Sequence, residues 1–312
     1  MSARNGPLSS NLPEDIIASI IEQTDDTPTL DSWCIAASFN NSLLRVALRR
    51  RWRSVTLTHL DMIRNPARRF GLSRRYQAEE GLVNRLITPC SSLLSSTPAF
   101  YIKDLMLDFT FVLPPDRKRN GVTQFTPQHY IETAYLTDLE YSMKKLLQQA
   151  SCLERIIHRG AFSEELLRLV TNYGTKSLAV FHAQSTHRGF ERFLTQDEAN
   201  HVFNAPRSIV NWHRLQQLKT LRELQINALP SVEAQSLSRA VRKLCVLQRL
   251  SVSPGSLSNW DHSTGMKSCS VMVFLEGIFP PTGDSLSAHS GLCGIPRTLQ
   301  VLELTGTWHD VG

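Results

Sequence analysis

The stretch Leu221-Arg222-Glu223-Leu224-Gln225-Ile226 has the spacing Leu-x-x-Leu-x-Leu, which recurs along the second half of the chain. Alternating apolar and polar residues over a few positions are typical of a short strand with one buried face. The other clear copies are residues 247–252 and 299–304, and the weaker copies are residues 102–107, 153–157 and 175–180.

The copies are regularly spaced. Steps between their central apolar residues are close to one or two multiples of 22 to 26 residues. This period resembles that of leucine-rich repeats and predicts a solenoid of short parallel strands and helices. An ordinary βαβ domain with a parallel sheet is the alternative. The central residues are Leu105, Ile156, Leu178, Leu224, Leu250 and Leu302.

Helices are expected between the strands. Ser163 precedes an apolar period through Leu166, Leu167 and Val170, and Ser231 precedes a second period of this kind. Three long intervals could each be an insertion, a degenerate repeat or disorder, namely residues 113–127, 182–213 and 253–296. The chain ends soon after its last strand without a polar capping helix, so the repeat domain, residues 99–312, is expected to be incomplete at its C-terminus.

Side chains between the inward-facing leucines should point outward from the strands and form a concave surface. A mixed polar row of this kind suits recognition of a protein or a peptide better than it suits catalysis. The candidate partner-binding residues are Glu223, Gln225, Asn227, Arg249, Ser251, Ser253, Val301, Glu303 and Thr305. Roughly half of them should be irrelevant to any partner.

A helix is predicted near the N-terminus, where residues 12–22 read Leu-Pro-Glu-Asp-Ile-Ile-Ala-Ser-Ile-Ile-Glu. Proline suits a first helical turn, and acidic residues there face the positive end of the helix dipole. The apolar residues of this segment predict one broad face that needs a cover. They are Leu12, Ile16, Ile17, Ile20 and Ile21.

Two more short helices follow. Residues 24–28 are expected to end the first helix, and a second apolar run covers residues 30–37. Asn40, Asn41 or Ser42 can cap a third helix, which leaves through residues 53–57.

In this order, residues 12–57 resemble the F-box of fungal-type F-box proteins with leucine-rich repeats. The F-box docks on the Skp-type adaptor of cullin-RING ubiquitin ligases, so the resemblance implies a substrate receptor for an unknown target protein. Adaptor-binding residues carried over by the motif are Leu12, Pro13, Ile16, Ile17, Ile20 and Ile21. The alternatives are a first core helix of an ordinary domain and an interaction scaffold unconnected to ubiquitin ligases.

The expected fold class is therefore α+β or α/β. A disordered tail at residues 1–11 precedes the F-box-like module at 12–57, a basic linker at 58–98 and the repeat domain at 99–312. No apolar stretch approaches the roughly 20 residues that span a bilayer, and the first residues lack a secretory signal. These features predict a cytoplasmic or nuclear protein, away from membranes. Its six scattered cysteines are expected to be free thiols.

The net charge of +6 hides a basic block between residues 45 and 75, where ten arginines face one acid, Asp61. The block could bind RNA or DNA, but it lacks interleaved aromatic residues that stack on bases. A solvated face, or attraction to an acidic protein partner, is the favoured interpretation.

Enzyme motifs are missing from the sequence, which has no Gly-x-Ser-x-Gly, P-loop, His-Glu-x-x-His or dinucleotide-binding glycine run. Residues 174–177 resemble half a P-loop. His182 and His187 are off the i, i+4 metal spacing and are expected in a loop. We therefore expect a protein without catalytic activity, cofactor or metal.

Overall fold

The computed structural model describes residues 12–58, 81–89, 94–108, 116–119, 122–124, 140–159, 164–174, 177–184, 210–229, 231–254, 270–280, 298–306 and 308. Within these ranges the chain combines helices with a parallel sheet of seven strands and a separate antiparallel pair of strands. The predicted mixture of helices and parallel strands is therefore confirmed.

The seven strands lie side by side in their order along the chain, and every neighbouring pair is parallel. The chain thus returns to the same edge of the sheet before each new strand. The strands are β1 (Ser54–Thr58), β2 (Asp104–Asp108), β5 (Arg155–Arg159), β6 (Val180–Gln184), β7 (Glu223–Leu229), β8 (Arg249–Pro254) and β9 (Val301–Leu304). The antiparallel pair, β3 (Asp116–Arg119) and β4 (Val122–Gln124), lies within the first long interval.

Helices occupy much of the sequence between the strands. Helices α1 (Glu14–Gln23), α2 (Thr27–Ala36) and α3 (Asn41–Trp52) precede β1. The later helices are α4 (Gly81–Ile87), α5 (described at 140–149), α6 (Glu164–Tyr173), α7 (Ser231–Val241) and α8 (Val271–Ile278). Short 3₁₀ helices cover Ala37–Phe39, Pro98–Tyr101 and Trp212–Gln217. The helices predicted after Ser163 and at Ser231 are confirmed as α6 and α7, although Ser163 itself lies outside the described residues.

Alternate strand residues are buried on one side of the sheet, where they form a single core with side chains of the helices. Leu105, Ile156, Leu224 and Leu250 are almost completely buried there, as predicted. Their neighbours along each strand point to the opposite side, because successive residues of a strand alternate between faces. We call that opposite side the open face.

One register prediction is wrong. Phe181, not Leu178, lies opposite both Ile156 and Leu224, and β6 begins only at Val180. The central buried position of a repeat can hold any bulky apolar side chain, so phenylalanine can occupy it in place of leucine. Leu178 is also buried, as the leading residue of its unit.

The sheet also gains a strand that the sequence analysis did not foresee. Residues 53–57 were interpreted only as the exit from the N-terminal helices, yet β1 pairs with β2 through Val55 opposite Leu105 and Leu57 opposite Leu107. Both residues are buried. Trp52-x-x-Val55-x-Leu57 thus has the repeat spacing, with tryptophan in the leading position.

A backbone hydrogen-bond pattern recurs where each strand begins. The carbonyl oxygen of Arg53 accepts from the amides of Lys103 and Asp104, at 2.9 and 3.0 Å. The corresponding carbonyls of Lys103, Glu154, Ala179, Arg222 and Gln248 each accept from two consecutive amides of the next strand segment. All six junctions of the sheet therefore start with the same geometry.

Hydroxyl groups reinforce three of these junctions. Thr298 Oγ1 donates to the carbonyl oxygen of Leu247 at 2.8 Å, and Thr220 Oγ1 donates to that of Leu178 at 2.8 Å. Ser177 Oγ donates to the carbonyl oxygen of Leu153 at 2.9 Å. A Ser or Thr directly before the leading leucine is therefore part of the repeat.

The 3₁₀ helix Trp212–Gln217 occupies the position before β7. The buried carboxylate of Glu233, on α7, accepts from Trp212 Nε1 at 2.8 Å and from the Val210 amide at 3.1 Å. Glu164, on α6, accepts from the Asn211 amide and from Arg214 Nε, each at 2.6 Å. Two carboxylates thus fasten this short helix to its neighbours.

The N-terminal helices have well-defined caps. Helix α1 ends at Gln23 with Thr24 as its C-cap, as predicted. Asp26 in the same segment accepts from the Thr29 amide at 2.9 Å and caps the start of α2. Asn40 accepts from the amides of Ser42 and Leu43, which identifies it as the cap of α3. These three hydrogen bonds satisfy amides that a helix start leaves without a partner.

Helix α3 joins two cores. Its Ala47 packs with Ile21 of α1 and Leu30 of α2 in a small cluster. Its Leu44, Leu48 and Trp52 belong to the large core beneath the sheet. The N-terminal helices are therefore attached to the sheet through α3 and β1.

Candidate functional site

Two surfaces are candidate partner-binding sites, and the first is the exposed side of α1. Leu12, Ile16 and Ile20 are 49%, 45% and 41% exposed, whereas Ile21 is fully buried. Ile17 is partly buried against the small cluster of α1, α2 and α3. Residues 16 and 20 share one side of a helix, and residues 17 and 21 share another, because a helix turns once every 3.6 residues.

The structure divides the predicted broad apolar face into a covered part and an exposed part. Ile21 fixes α1 to α3, and the apolar stripe that remains exposed consists of Leu12, Ile16 and Ile20. Pro13 precedes the helix, and its carbonyl oxygen accepts from the Ile16 and Ile17 amides at 3.1 and 3.2 Å. It thereby positions the start of the stripe.

Two more apolar side chains are exposed near this helix in sequence. Ile35, at the end of α2, is 74% exposed, and Phe39, in the following 3₁₀ helix, is 94% exposed. The sequence analysis included Ile35 in an apolar run but did not single out either residue as a binding candidate. Ile35 lies within the apolar run of residues 33–37, so no local signal separates it from core residues. Phe39 lies between Ser38 and Asn40.

The basic block is partly explained by ion pairs. Arg49 contacts Glu22 at 2.6 Å, and Arg51 contacts Asp31 at 2.6 Å. Arg50 pairs with Asp25 and also donates to the carbonyl oxygen of Thr24 at 2.9 Å. These arginines hold α1 and α2 against α3, since their acidic partners come from sequence positions outside the block. The arginines from 64 to 75 lie outside the described residues.

The second candidate surface is the open face of the sheet. The predicted residues of β7, β8 and β9 all lie on it or continue its rows, and they are partly or well exposed. The register places Glu223 opposite Arg249, and Arg249 opposite Val301. In the next row Gln225 lies opposite Ser251, and Ser251 opposite Glu303. Asn227 accepts from Gln225 Nε2 at 3.4 Å, Ser253 lies within β8, and Thr305 directly follows β9.

Polar and charged side chains pair between neighbouring strands of this face. Arg249 contacts Glu303 at 3.1 Å, and His182 Nε2 lies 2.9 Å from Glu223 Oε1. The expectation that His182 lies in a loop is wrong, because it is part of β6. His187 lies outside the described residues.

The structure adds three strands to this surface, and the sequence analysis, which counted them among the weaker copies, did not consider their outward residues. Their outward residues alternate with buried ones, and they continue the same rows toward β1. They are Asp104, Met106 and Asp108 on β2, Arg155, Ile157 and Arg159 on β5, and Val180, His182 and Gln184 on β6. Neither Asp-Leu-Met-Leu-Asp nor Arg-Ile-Ile-His-Arg alternates apolar and polar residues, so the local sequence gave no clear signal for the first two triplets.

The histidine beneath the sheet, His158, is kept neutral by its burial. His158 occupies an inward position of β5, and burial lowers its pKa to about 3, although the nearby Asp108 acts in the opposite direction. A histidine with this pKa is neutral at pH 7 and is a poor general base.

Among the described residues, no group of three or more His, Cys, Asp or Glu side chains could hold a metal ion. In the described part of the chain, Cys34, Cys152 and Cys245 form no disulfide bond. Gly174 ends α6 by donating its amide to the carbonyl oxygen of Val170 at 2.7 Å. A Cβ at this glycine would lie 2.1 Å from that oxygen, so tight packing alone explains the glycine of the half P-loop.

No known protein family model matches the chain, and a search of curated proteins found no match. Over the described residues, no helix is both long and apolar enough to cross a membrane.

Proposed function

We propose that this protein is a non-catalytic substrate-recognition subunit of a Skp-cullin-F-box type ubiquitin ligase. In this proposal, α1, α2 and α3 form the F-box-like module and bind the Skp-type adaptor. The sheet and its helices form a leucine-rich-repeat-like solenoid, and its open face binds the target protein. Ubiquitin transfer would be carried out by the partners.

The observation that carries the proposal is the division of α1 into two apolar sides. Ile21 anchors the helix, while Leu12, Ile16 and Ile20 remain exposed. A helix whose apolar residues served only the core would not need Ile16 and Ile20 on its outer side, with Leu12 exposed just before it. Exposed apolar surface of this kind is typical of a helix that binds a partner.

The solenoid part of the proposal is supported by repetition. Strands in sequence order, six equivalent double hydrogen bonds and three equivalent hydroxyl bonds are what a one-dimensional stack of units would produce. A doubly wound βαβ domain commonly reverses its strand order within the sheet, and this sheet does not.

A second candidate function is an interaction scaffold without a ligase. Leu44, Leu48 and Trp52 of α3 belong to the core of the sheet, as expected if the N-terminal helices only close one end of the solenoid. A nucleic-acid role is less well supported, because Arg49, Arg50 and Arg51 are paired with acidic residues of the same module.

The test is co-purification of the full chain with a Skp-type adaptor. Ile16→Asp should abolish stoichiometric capture, because the new carboxylate would have to be desolvated without a partner in the interface. Ser42→Asp is the matched control, since it adds the same charge at an exposed position in the first turn of α3, where the helix dipole favours it.

Capture by the wild-type chain and by Ser42→Asp, with loss in a folded Ile16→Asp variant, would support the ligase function. Unchanged thermal unfolding would establish that the variant is folded. Failure of the folded wild-type chain to bind the adaptor would reject the ligase function and leave the scaffold as the better proposal.

A further inference from the structure

Two adjacent strands present matched triplets on the open face. Asp104, Met106 and Asp108 point outward from β2, and Arg155, Ile157 and Arg159 point outward from β5. The register aligns acid with base, apolar with apolar, and acid with base. We call these six residues the β2–β5 patch.

Charged residues lie on both sides of an apolar pair at the centre of the β2–β5 patch. Met106 and Ile157 lie directly opposite each other, which brings their side chains within contact distance. Below them, Arg155 Nε lies 3.6 Å from Asp104 Oδ1, and above them Asp108 lies opposite Arg159. The apolar pair is only partly buried.

This centre is unlike the rest of its row. The same register position holds Gln225 on β7, Ser251 on β8 and Glu303 on β9, all of them polar. Two neighbouring apolar side chains inside a polar surround resemble the arrangement of a binding hot spot, in which surrounding groups exclude water from a central contact.

The arginines are the better placed charges for a ligand. The Arg155 side chain is 49% exposed and that of its partner Asp104 is 35% exposed. A guanidinium carries five donors, so it can bind a second carboxylate while it keeps the first. The carboxylates of this patch have no comparable reach, because their side chains are short.

The distance between the two arginines indicates that the ligand is an extended peptide. Arg155 and Arg159 are four residues apart on one strand, and at about 3.3 Å per residue this separates their backbones by roughly 13 Å. An extended peptide running along β5 has the same spacing between its residues i and i+4, and its residue i+2 then lies over Ile157.

We propose that the β2–β5 patch binds an extended segment of the target protein with the pattern acidic–x–apolar–x–acidic. The central apolar side chain packs on Met106 and Ile157, and the two carboxylates bind Arg155 and Arg159. This inference rests on the proposed function, in which the open face binds the target.

Fluorescence anisotropy with the purified full chain tests the proposal. The probe is a fluorescein-labelled peptide Gly-Ser-Glu-Thr-Leu-Thr-Glu-Ser-Gly, compared with one peptide in which lysine replaces both glutamates and another in which serine replaces leucine. The acidic peptide should bind at least about tenfold more tightly than either, and added salt should weaken its binding.

Protein variants locate the site. Ile157→Ser and Arg155→Gln should each weaken binding of the acidic peptide about tenfold, which corresponds to 1.4 kcal/mol. Arg168→Gln is the matched control, because Arg168 lies on α6, away from the open face, is 35% exposed and also pairs with a carboxylate. It should leave the affinity unchanged.

The proposal is overturned if the acidic peptide fails to bind a folded chain, if the lysine peptide binds equally well, or if Arg168→Gln weakens binding as much as Arg155→Gln. Co-purification with the Skp-type adaptor is measured in parallel with the same preparations. Adaptor capture without peptide binding rejects only the patch, whereas peptide binding without adaptor capture rejects the ligase function and retains the patch.

Discussion

Phe181 lies directly opposite Leu224 across β6 and β7, and both side chains are completely buried beneath the sheet. This pairing sets the register of β6, because a shift by one residue would turn Phe181 to the open face and expose it. The neighbouring Val180 points outward and is only partly buried.

Replacement of Phe181 by alanine should therefore destabilise the protein by about 3–5 kcal/mol, through lost burial and the cavity left behind. Val180→Ala should cost less than about 1 kcal/mol, because its side chain lies on the open face. Urea unfolding followed by circular dichroism measures both. Equal losses for the two variants would contradict the register.

The two apolar sides of α1 predict opposite effects for adjacent residues. Ile21→Ala should reduce the free energy of unfolding by about 2–5 kcal/mol, because Ile21 is fully buried against α2 and α3. Ile20→Ala should change stability little but should weaken adaptor capture. Thermal unfolding and co-purification of both variants separate these roles, and a large stability loss for Ile20→Ala would count against an exposed stripe.

Acid should destabilise the protein through His158. Its pKa is about 3 when folded and near 6.5 when unfolded, so the unfolded state binds more protons between these values. The stability that depends on neutral His158 is thus complete above about pH 6.5 and is lost as pH falls, by up to about 1.4 kcal/mol per pH unit.

His158→Leu should remove this contribution, since the equivalent position on β2 is a buried leucine, Leu107. Urea unfolding at pH 7.5, 6.5 and 5.5 should show wild type losing stability relative to the variant as pH falls. A stability difference that does not change with pH would exclude a depressed pKa for His158.

The hydrogen bond from Trp212 to Glu233 predicts a further effect. Glu233→Ala leaves the Trp212 indole and the Val210 amide without this acceptor in a buried site, which should cost about 1–3 kcal/mol. Gln235→Ala, at an exposed position of the same helix, is the control and should be nearly neutral. Chemical denaturation monitored by tryptophan fluorescence measures the difference, and similar losses for both variants would be unexpected.

The local sequence pattern predicted the parts of the fold that depend on residues close together in the sequence. The repeat spacing located most strands, and apolar periodicity located α1, α6 and α7. It missed β1 and misplaced the centre of the β6 unit because tryptophan and phenylalanine stand where leucine was sought. Any apolar side chain can fill a buried position, so a search for leucine alone misses some strands.

The candidate site was predicted less completely. The open-face residues of β7, β8 and β9 were identified because their repeats were clear, whereas the triplets of β2 and β5 were not considered. Alternation alone does not reveal that Met106 and Ile157 are neighbours, since 51 residues separate them and their register depends on the intervening chain.

The sequence by itself determined the inward and outward alternation of β7, β8 and β9, the positions of α1, α6 and α7, and the order of the repeating units, because these follow from spacing along the chain. Only the tertiary structure decided which side of α1 is exposed, which acids neutralise Arg49, Arg50 and Arg51, and which strands bring Arg155 and Asp104 together. Those outcomes depend on packing between distant segments, where burial and ion pairing act through space.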